Sequence, residues 1–245
     1  MVELIVSFLF DEISFFNLFS YLSTRTILST LTSLLLVLIF GEGFIRLISS
    51  FQFNQTFDGR APERHMVKHG TPTMGGILIV SSVLISGILW GNLFDKYLIL
   101  GLICIVGFAI IGFIDDYKKV KIESSKGLSS IEKIFFQSIL AGIISISLFM
   151  LAVDKNELIY IVPFFKNVAL DLGIFFIFIS IFIIVGSSNA VNLTDGLDGL
   201  AILPVILIAS ALGIIAWAAG NVIASDYLYI PCLLYTSDAA DDTPC

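Results

Sequence analysis

Six apolar stretches, at residues 27–49, 74–90, 97–114, 134–153, 172–186 and 200–219, constrain this chain before anything else does. A helix crossing a hydrocarbon core of ~30 Å takes about 20 predominantly apolar residues. Inside lipid, every backbone N–H and C=O must be satisfied within the segment or by protein. The expected fold is therefore all-α, a polytopic transmembrane helical bundle with about six spans. Composition agrees: at 57% hydrophobic and 13% charged, 245 residues carry more apolar surface than a soluble domain of that size can bury. Residues 1–19 are apolar but interrupted by Asp11, Glu12 and Asn17, which suits an interfacial helix better than a span. No basic region or small-residue cleavage site marks this stretch as a removable signal. The three cysteines, Cys104, Cys232 and Cys245, have no disulfide or zinc spacing. A net charge of -7 is scattered along the chain, points to no basic partner, and gives no footprint for nucleic acid.

Orientation follows from the basic residues, because Lys and Arg beside short loops stay on the cytoplasmic side. With the first span running inward, Arg46, Arg60, Arg64, Lys68, Lys118, Lys119, Lys121, Lys126 and Lys133 fall inside, against Arg25, Lys96, Lys155 and Lys166 outside. The polar segments 51–73, 115–133 and 187–199 then share one membrane face. No repeat or linker divides the chain, so one bundle is expected over residues 1–231.

Those three segments hold the densest polar chemistry. The first reads Lys68-His69-Gly70-Thr71-Pro72-Thr73-Met74-Gly75-Gly76. Glycines let backbone N–H groups approach an anion, a helix start favours negative charge, and Lys68 adds a point charge, so the segment suits a phosphate. It equally suits an ordinary turn with a basic flank. The second places Asp115 and Asp116 where a span meets the membrane surface, with Lys119 four residues on. Adjacent carboxylates repel unless a cation lies near them, and hard oxygen ligands suit Mg²⁺ completed by water and substrate phosphate. In the third, Asn189, Asn192, Asp195 and Asp198 recur every third residue, and Asp195-Gly196 and Asp198-Gly199 are turn pairs. On one regular helix these four side chains would spiral apart, so a broken backbone between the fifth and sixth spans is expected, lining a wet cavity.

At these motifs the chain resembles the polyprenyl-phosphate hexosamine-1-phosphate transferase superfamily. The Gly-Thr-Pro-Thr-Met-Gly-Gly run and the Asn-Ala-Val-Asn-Leu-Thr-Asp-Gly-Leu-Asp-Gly-Leu-Ala run are similar to its phospho-N-acetylmuramoyl-pentapeptide branch. The resemblance implies a ten-span bacterial inner-membrane enzyme facing the cytoplasm. It would use Mg²⁺ to move phospho-N-acetylmuramoyl-pentapeptide from UDP to undecaprenyl phosphate, forming lipid I and UMP in peptidoglycan synthesis. It further implies a homodimer. By the same likeness Asp115 and Asp116 serve metal and lipid phosphate. Lys68, Thr73, Asn192, Asp195, Gly196, Leu197 and Asp198 line the nucleotide pocket, Asn189 stands beside them in the same motif, and Lys119 and Lys133 are basic residues of the cleft.

The chain also departs from the family. Further spans, a third metal-site Asp and a His-rich loop belong to the family pattern and have no counterpart in this sequence. Residues 232–245 have neither span length nor family likeness and read as an assembly artefact, so this chain is expected to be truncated at the C-terminus and inactive as written. Two other readings stay open: transfer of N-acetylglucosamine-1-phosphate to a polyprenyl phosphate, and a transporter with ion-holding broken helices.

Overall fold

The computed structural model describes residues 18–19, 21–50, 74–121, 127–152, 155–161, 169–194 and 199–228. The interfacial helix expected over residues 1–19 lies outside the described residues, apart from a 3-10 turn at Leu18 and Phe19. Helices occupy all six apolar stretches: α1 Leu22–Ser50, α2 Gly76–Trp90, α3 Lys96–Lys121, α4 Ser130–Leu151, α5 Phe175–Thr194 and α6 Ile202–Ala219. A short α7, Val222–Leu228, follows a turn at Gly220. Five of them are long and apolar enough to cross a membrane. The described part of α2 has 15 residues, which at ~1.5 Å per residue spans about 22 Å, short of the core thickness. The apolar side chains of these helices remain open to their surroundings: Phe182 is 79% exposed and Leu38 66%. In water that would drive aggregation; in a bilayer it is the expected surface. The protein is an all-α, multi-pass membrane protein.

Two helices outrun their apolar stretches. α3 continues past 114 to Lys121 and α5 past 186 to Thr194. A helix ends where its backbone partners end, not where hydropathy falls, and Lys118, Lys119 and Lys121 suit the negative end of the α3 dipole. The joint before α5 also holds more structure than a polar link. After a 3-10 turn at Lys155–Leu158, β1 Ile159–Ile161 pairs antiparallel with β2 Ala169–Asp171, with Tyr160 opposite Leu170.

By contact density the chain divides after Leu140, within α4, into Met1–Leu140 and Ala141–Cys245. In the first unit, α2 packs mainly on α1. Ser82, Ser86 and Trp90 fall four residues apart on one stripe of α2. The two serines are buried, each hydroxyl turned back to its own helix, and the Trp90 indole N–H donates to Thr32 Oγ1 of α1 at 2.9 Å. Small residues let helices approach closely in lipid, where packing rather than hydrophobicity drives association. The α2–α3 link is set by side chains that satisfy the backbone: Asn92 accepts from the Phe94 N–H, and Asp95 caps α3 by accepting from Tyr97 at 2.7 Å and Leu98 at 3.0 Å. α3 approaches α4 closely where Gly107 faces Leu140.

Candidate active site

The polar end of α3 carries the site. Asp115 and Asp116 are successive helical residues, so their side chains leave the axis about 100° apart. They do not face one another, yet Lys119 is four residues from one and three from the other, the spacings at which helical side chains meet. Its ammonium lies 2.7 Å from Asp115 Oδ2 and 3.1 Å from Asp116 Oδ1, bridging the pair. A second cation arrives from α4: Lys133 Nζ is 3.6 Å from the same Asp115 Oδ2.

Gly127 and Leu128, just before α4, close on Asp115. The Leu128 N–H donates to Asp115 Oδ1 at 2.8 Å. Gly127 lies so close that a Cβ there would collide with Asp115 Oδ1 and stand 2.9 Å from Lys119 Cε. Ser129 and Glu132 then start α4 as a capping box. The Ser129 N–H and hydroxyl donate to Glu132 Oε2 at 2.9 and 3.0 Å, and the Glu132 N–H donates to Ser129 Oγ at 3.3 Å. That box fixes the first turn of α4 and therefore where Lys133 stands. Asp115 is 6% exposed, with both oxygens engaged by three donors. The Asp116 side chain is 41% exposed. Two carboxylates facing two ammonium groups balance in charge, which lowers the cost of holding Asp115 away from water.

Asp116 also lines a cavity of about 490 Å³ between α2 and α3, together with Met74 and Gly76 at the start of α2. The end of the first motif and Asp116 thus meet at one end of the unit. Met74 is buried and left-handed, with φ of +72°, a conformation that costs a side-chain-bearing residue about 1–2 kcal/mol. Strain of this kind persists where surrounding structure holds it, here at the turn that aims the chain into α2.

Asn189 and Asn192 belong to the second unit, on the last turns of α5. The backbone there is regular, so the fifth helix runs eight residues beyond its apolar stretch, and the break expected at the two Asp-Gly pairs falls at residues 195–198, outside the described residues. α5 stays helical through Thr194, and Asn189 and Asn192, three residues apart, share a face. The Asn189 amide donates to Val185 O at 2.8 Å and the Thr194 hydroxyl to Ala190 O at 2.9 Å, four residues back in each case. The chain resumes at Gly199 with φ of +80°, a turn conformation that favours glycine. Lys68, Thr73, Asp195, Gly196, Leu197 and Asp198 lie outside the described residues.

The donor set fits Mg²⁺. Asp115 and Asp116 offer hard oxygens, a cation already bridges them, and Mg²⁺ commonly takes one or two carboxylates with substrate phosphate completing the shell. Among the described residues no third His, Cys, Asp or Glu joins the pair. Sequence reasoning missed Gly127, the Leu128 N–H and the Ser129–Glu132 box. The Ser-x-x-Glu spacing was a readable signal for the box, whereas nothing local to Gly127 and Leu128 points back to Asp115.

Two matches to known proteins coincide with this geometry. Residues 98–236, more than half the chain, match the profile of glycosyl transferase family 4. Residues 68–80 match signature 1 of phospho-N-acetylmuramoyl-pentapeptide-transferase. The first match contains the acidic pair and both lysines, and the second runs from Lys68 into α2.

Proposed function

As the chain belongs to glycosyl transferase family 4, we propose that it transfers phospho-N-acetylmuramoyl-pentapeptide from its UDP carrier to undecaprenyl phosphate, yielding lipid I and UMP. The observation that carries this reading is the meeting of the signature segment with the Asp115–Asp116–Lys119–Lys133 cluster at one helix end. The protein lies in the bacterial inner membrane, with that end facing the cytoplasm, where the nucleotide sugar is found.

The nucleophile is a phosphate oxygen of the lipid, and it attacks the phosphorus that bears the sugar. The bond from that phosphorus to the bridging oxygen breaks, and UMP leaves with the electron pair. A phosphomonoester loses its second proton near pH ~6, so the acceptor is mostly dianionic at neutral pH and no strong general base is required. The obstacle is bringing two anions together in line. Lys119 and Lys133 neutralise charge at the acceptor phosphate and hold its orientation. Asp115, engaged by three donors, fixes both lysines, while the more open Asp116 faces the cavity. Mg²⁺ held by Asp115 and Asp116 would supply further neutralisation of the transferring phosphoryl oxygens.

The test is Mg²⁺-dependent release of UMP from UDP-N-acetylmuramoyl-pentapeptide and undecaprenyl phosphate by the protein expressed from its native locus, beside Asp115→Asn and Asp116→Asn. Release that needs Mg²⁺ and is lost in both variants is expected. Turnover of UDP-N-acetylglucosamine instead would assign the protein to the sister activity, and turnover of neither would overturn the transferase reading.

A further inference from the structure

A connection between spans that stands in water is ordinarily polar. The stretch between α4 and α5 is not. From 159 to 171 the sequence reads Ile-Tyr-Ile-Val-Pro-Phe-Phe-Lys-Asn-Val-Ala-Leu-Asp, with nine aliphatic or aromatic residues and two charges, Lys166 and Asp171. β1 and β2 form its two ends. In their antiparallel register Tyr160 stands opposite Leu170, and Ile159 opposite Asp171. Opposed side chains share a face, and the next pair along takes the other. One face therefore carries Tyr160 and Leu170, both exposed, and the other carries Ile159 and Asp171.

The strand pair is tied directly to a membrane helix. The Leu172 N–H donates to Leu158 O at 3.4 Å, continuing the ladder by one step. The Gly173 N–H donates to Asp171 Oδ1 at 3.0 Å, Gly173 turns left-handed at φ of +46°, and the Phe175 N–H donates to Leu172 O at 2.9 Å as α5 begins. Ile174 and Phe175, which follow at once, already belong to the exposed apolar surface that α5 turns to lipid. Asp171 is four residues from Phe175. At ~3.6 Å per residue that is about 14 Å at most, so the base of the strand pair stays beside the membrane.

Two physical limits set its depth. A two-stranded sheet is marginal by itself in water, and an exposed Tyr160–Leu170 face gains nothing there. In hydrocarbon an open sheet edge leaves N–H and C=O groups unsatisfied, and among the described residues no third strand joins this pair. The boundary between headgroups and acyl chains meets both conditions: the edges reach water and headgroup oxygens while acyl chains cover the face. Tyr160 suits that level, with its ring in the apolar layer and its hydroxyl among the headgroups. We propose that the β1–β2 pair is a membrane-surface anchor, lying in this boundary where α4 ends and α5 begins, with Tyr160 and Leu170 turned into the lipid. Its partner is the phospholipid surface itself, and the anchor does not depend on the transferase reading. The consequence falls on α5: an anchor at its first turn sets the depth and tilt of the helix, and so the level at which Asn189 and Asn192 stand.

The experiment places single nitroxide labels on Tyr160→Cys, Leu170→Cys and Ile159→Cys, with the native cysteines replaced by serine and the protein in vesicles of phosphatidylethanolamine and phosphatidylglycerol. Collision with oxygen, which concentrates in hydrocarbon, is compared with collision with a nickel chelate, which stays in water. Phe182→Cys, on the exposed face of α5, supplies the lipid value, and Lys121→Cys, at the polar end of α3, the water value. Labels at 160 and 170 should give an oxygen-to-nickel ratio several-fold above that at 121, and the ratio at 159 should fall below both, following the alternation of the strand. A water-like ratio at 170 would mean that the pair stands out in solution, which overturns the anchor. Labels at 160 and 170 reached by neither collider would also overturn it, because protein, such as a second copy of this chain, would then cover the face. An equally lipid-like ratio at all three positions would put the pair in the core rather than the boundary and overturn the proposal.

Discussion

Asp115 and Asp116 are chemically identical neighbours in opposite surroundings. Asp115 is closed in by Lys119, Lys133 and the Leu128 N–H, whereas Asp116 shares one lysine and is partly open. Removing a buried, charge-assisted partner leaves its donors unsatisfied, so Asp115→Ala should destabilise the protein by about 2 kcal/mol or more. Asp116→Ala should stay within about 0.5 kcal/mol, as for other exposed substitutions. Thermal denaturation in detergent separates the two, while UMP release should be lost in both. Gly127 makes a different demand, for space. Gly127→Ala places a methyl group where Asp115 Oδ1 and Lys119 Cε stand, and the displaced carboxylate carries both lysines with it. A shift of about 1 Å at a reacting group can cost ~10²-fold, so kcat should fall by about that factor with little change in the KM for the nucleotide sugar. An unchanged kcat would show that the turn is not needed to hold Asp115.

At the scale of elements, α3 is held against α4 at Gly107. A Cβ there would lie 2.6 Å from Leu140 Cδ2 and 2.8 Å from Cδ1. Gly107→Val therefore forces the Leu140 side chain out of its place and should cost about 1–3 kcal/mol, the usual range for overpacking. Gly101→Val, six residues earlier on the same helix with open space around it, should stay within about 0.5 kcal/mol. Melting temperatures of the two variants in one detergent decide this. The comparison bears on function because the α3–α4 spacing sets the reach of Lys133 to Asp115. The capping box at Ser129 and Glu132 acts in the same direction, fixing the first turn of α4 from which Lys133 projects. The extension of α3 to Lys121 matters as much, since Lys119 can bridge the acidic pair only while the helix continues beyond it.

For the whole molecule, orientation in the membrane is the property to test. In a background with the native cysteines replaced by serine, Asn92→Cys in the α2–α3 link should react with an impermeant maleimide applied outside the cell. Lys121→Cys should react only after permeabilisation, and the reverse pattern would place the lysine-rich end outside. Six apolar helices, five of them long enough to cross a membrane, and lipid as solvent were legible in the sequence, because hydropathy runs are properties of short segments. The strand pair Ile159–Ile161 with Ala169–Asp171 was not, being short enough that antiparallel pairing outweighs any local pattern. The extension of α5 past Gly186 through Asn189 and Asn192 was not legible either: two Asp-Gly pairs announce a turn but not how far the preceding helix persists. The three-dimensional arrangement settled which of two adjacent aspartates is enclosed and which lines the cavity between α2 and α3. That distinction depends on Leu128, 13 positions beyond Asp115, and on Lys133 of the next helix, which place one N–H and one ammonium on a single carboxylate. No pattern confined to Asp115 and its neighbours encodes these contacts; they follow from where Leu128 and Lys133 stand against the end of α3.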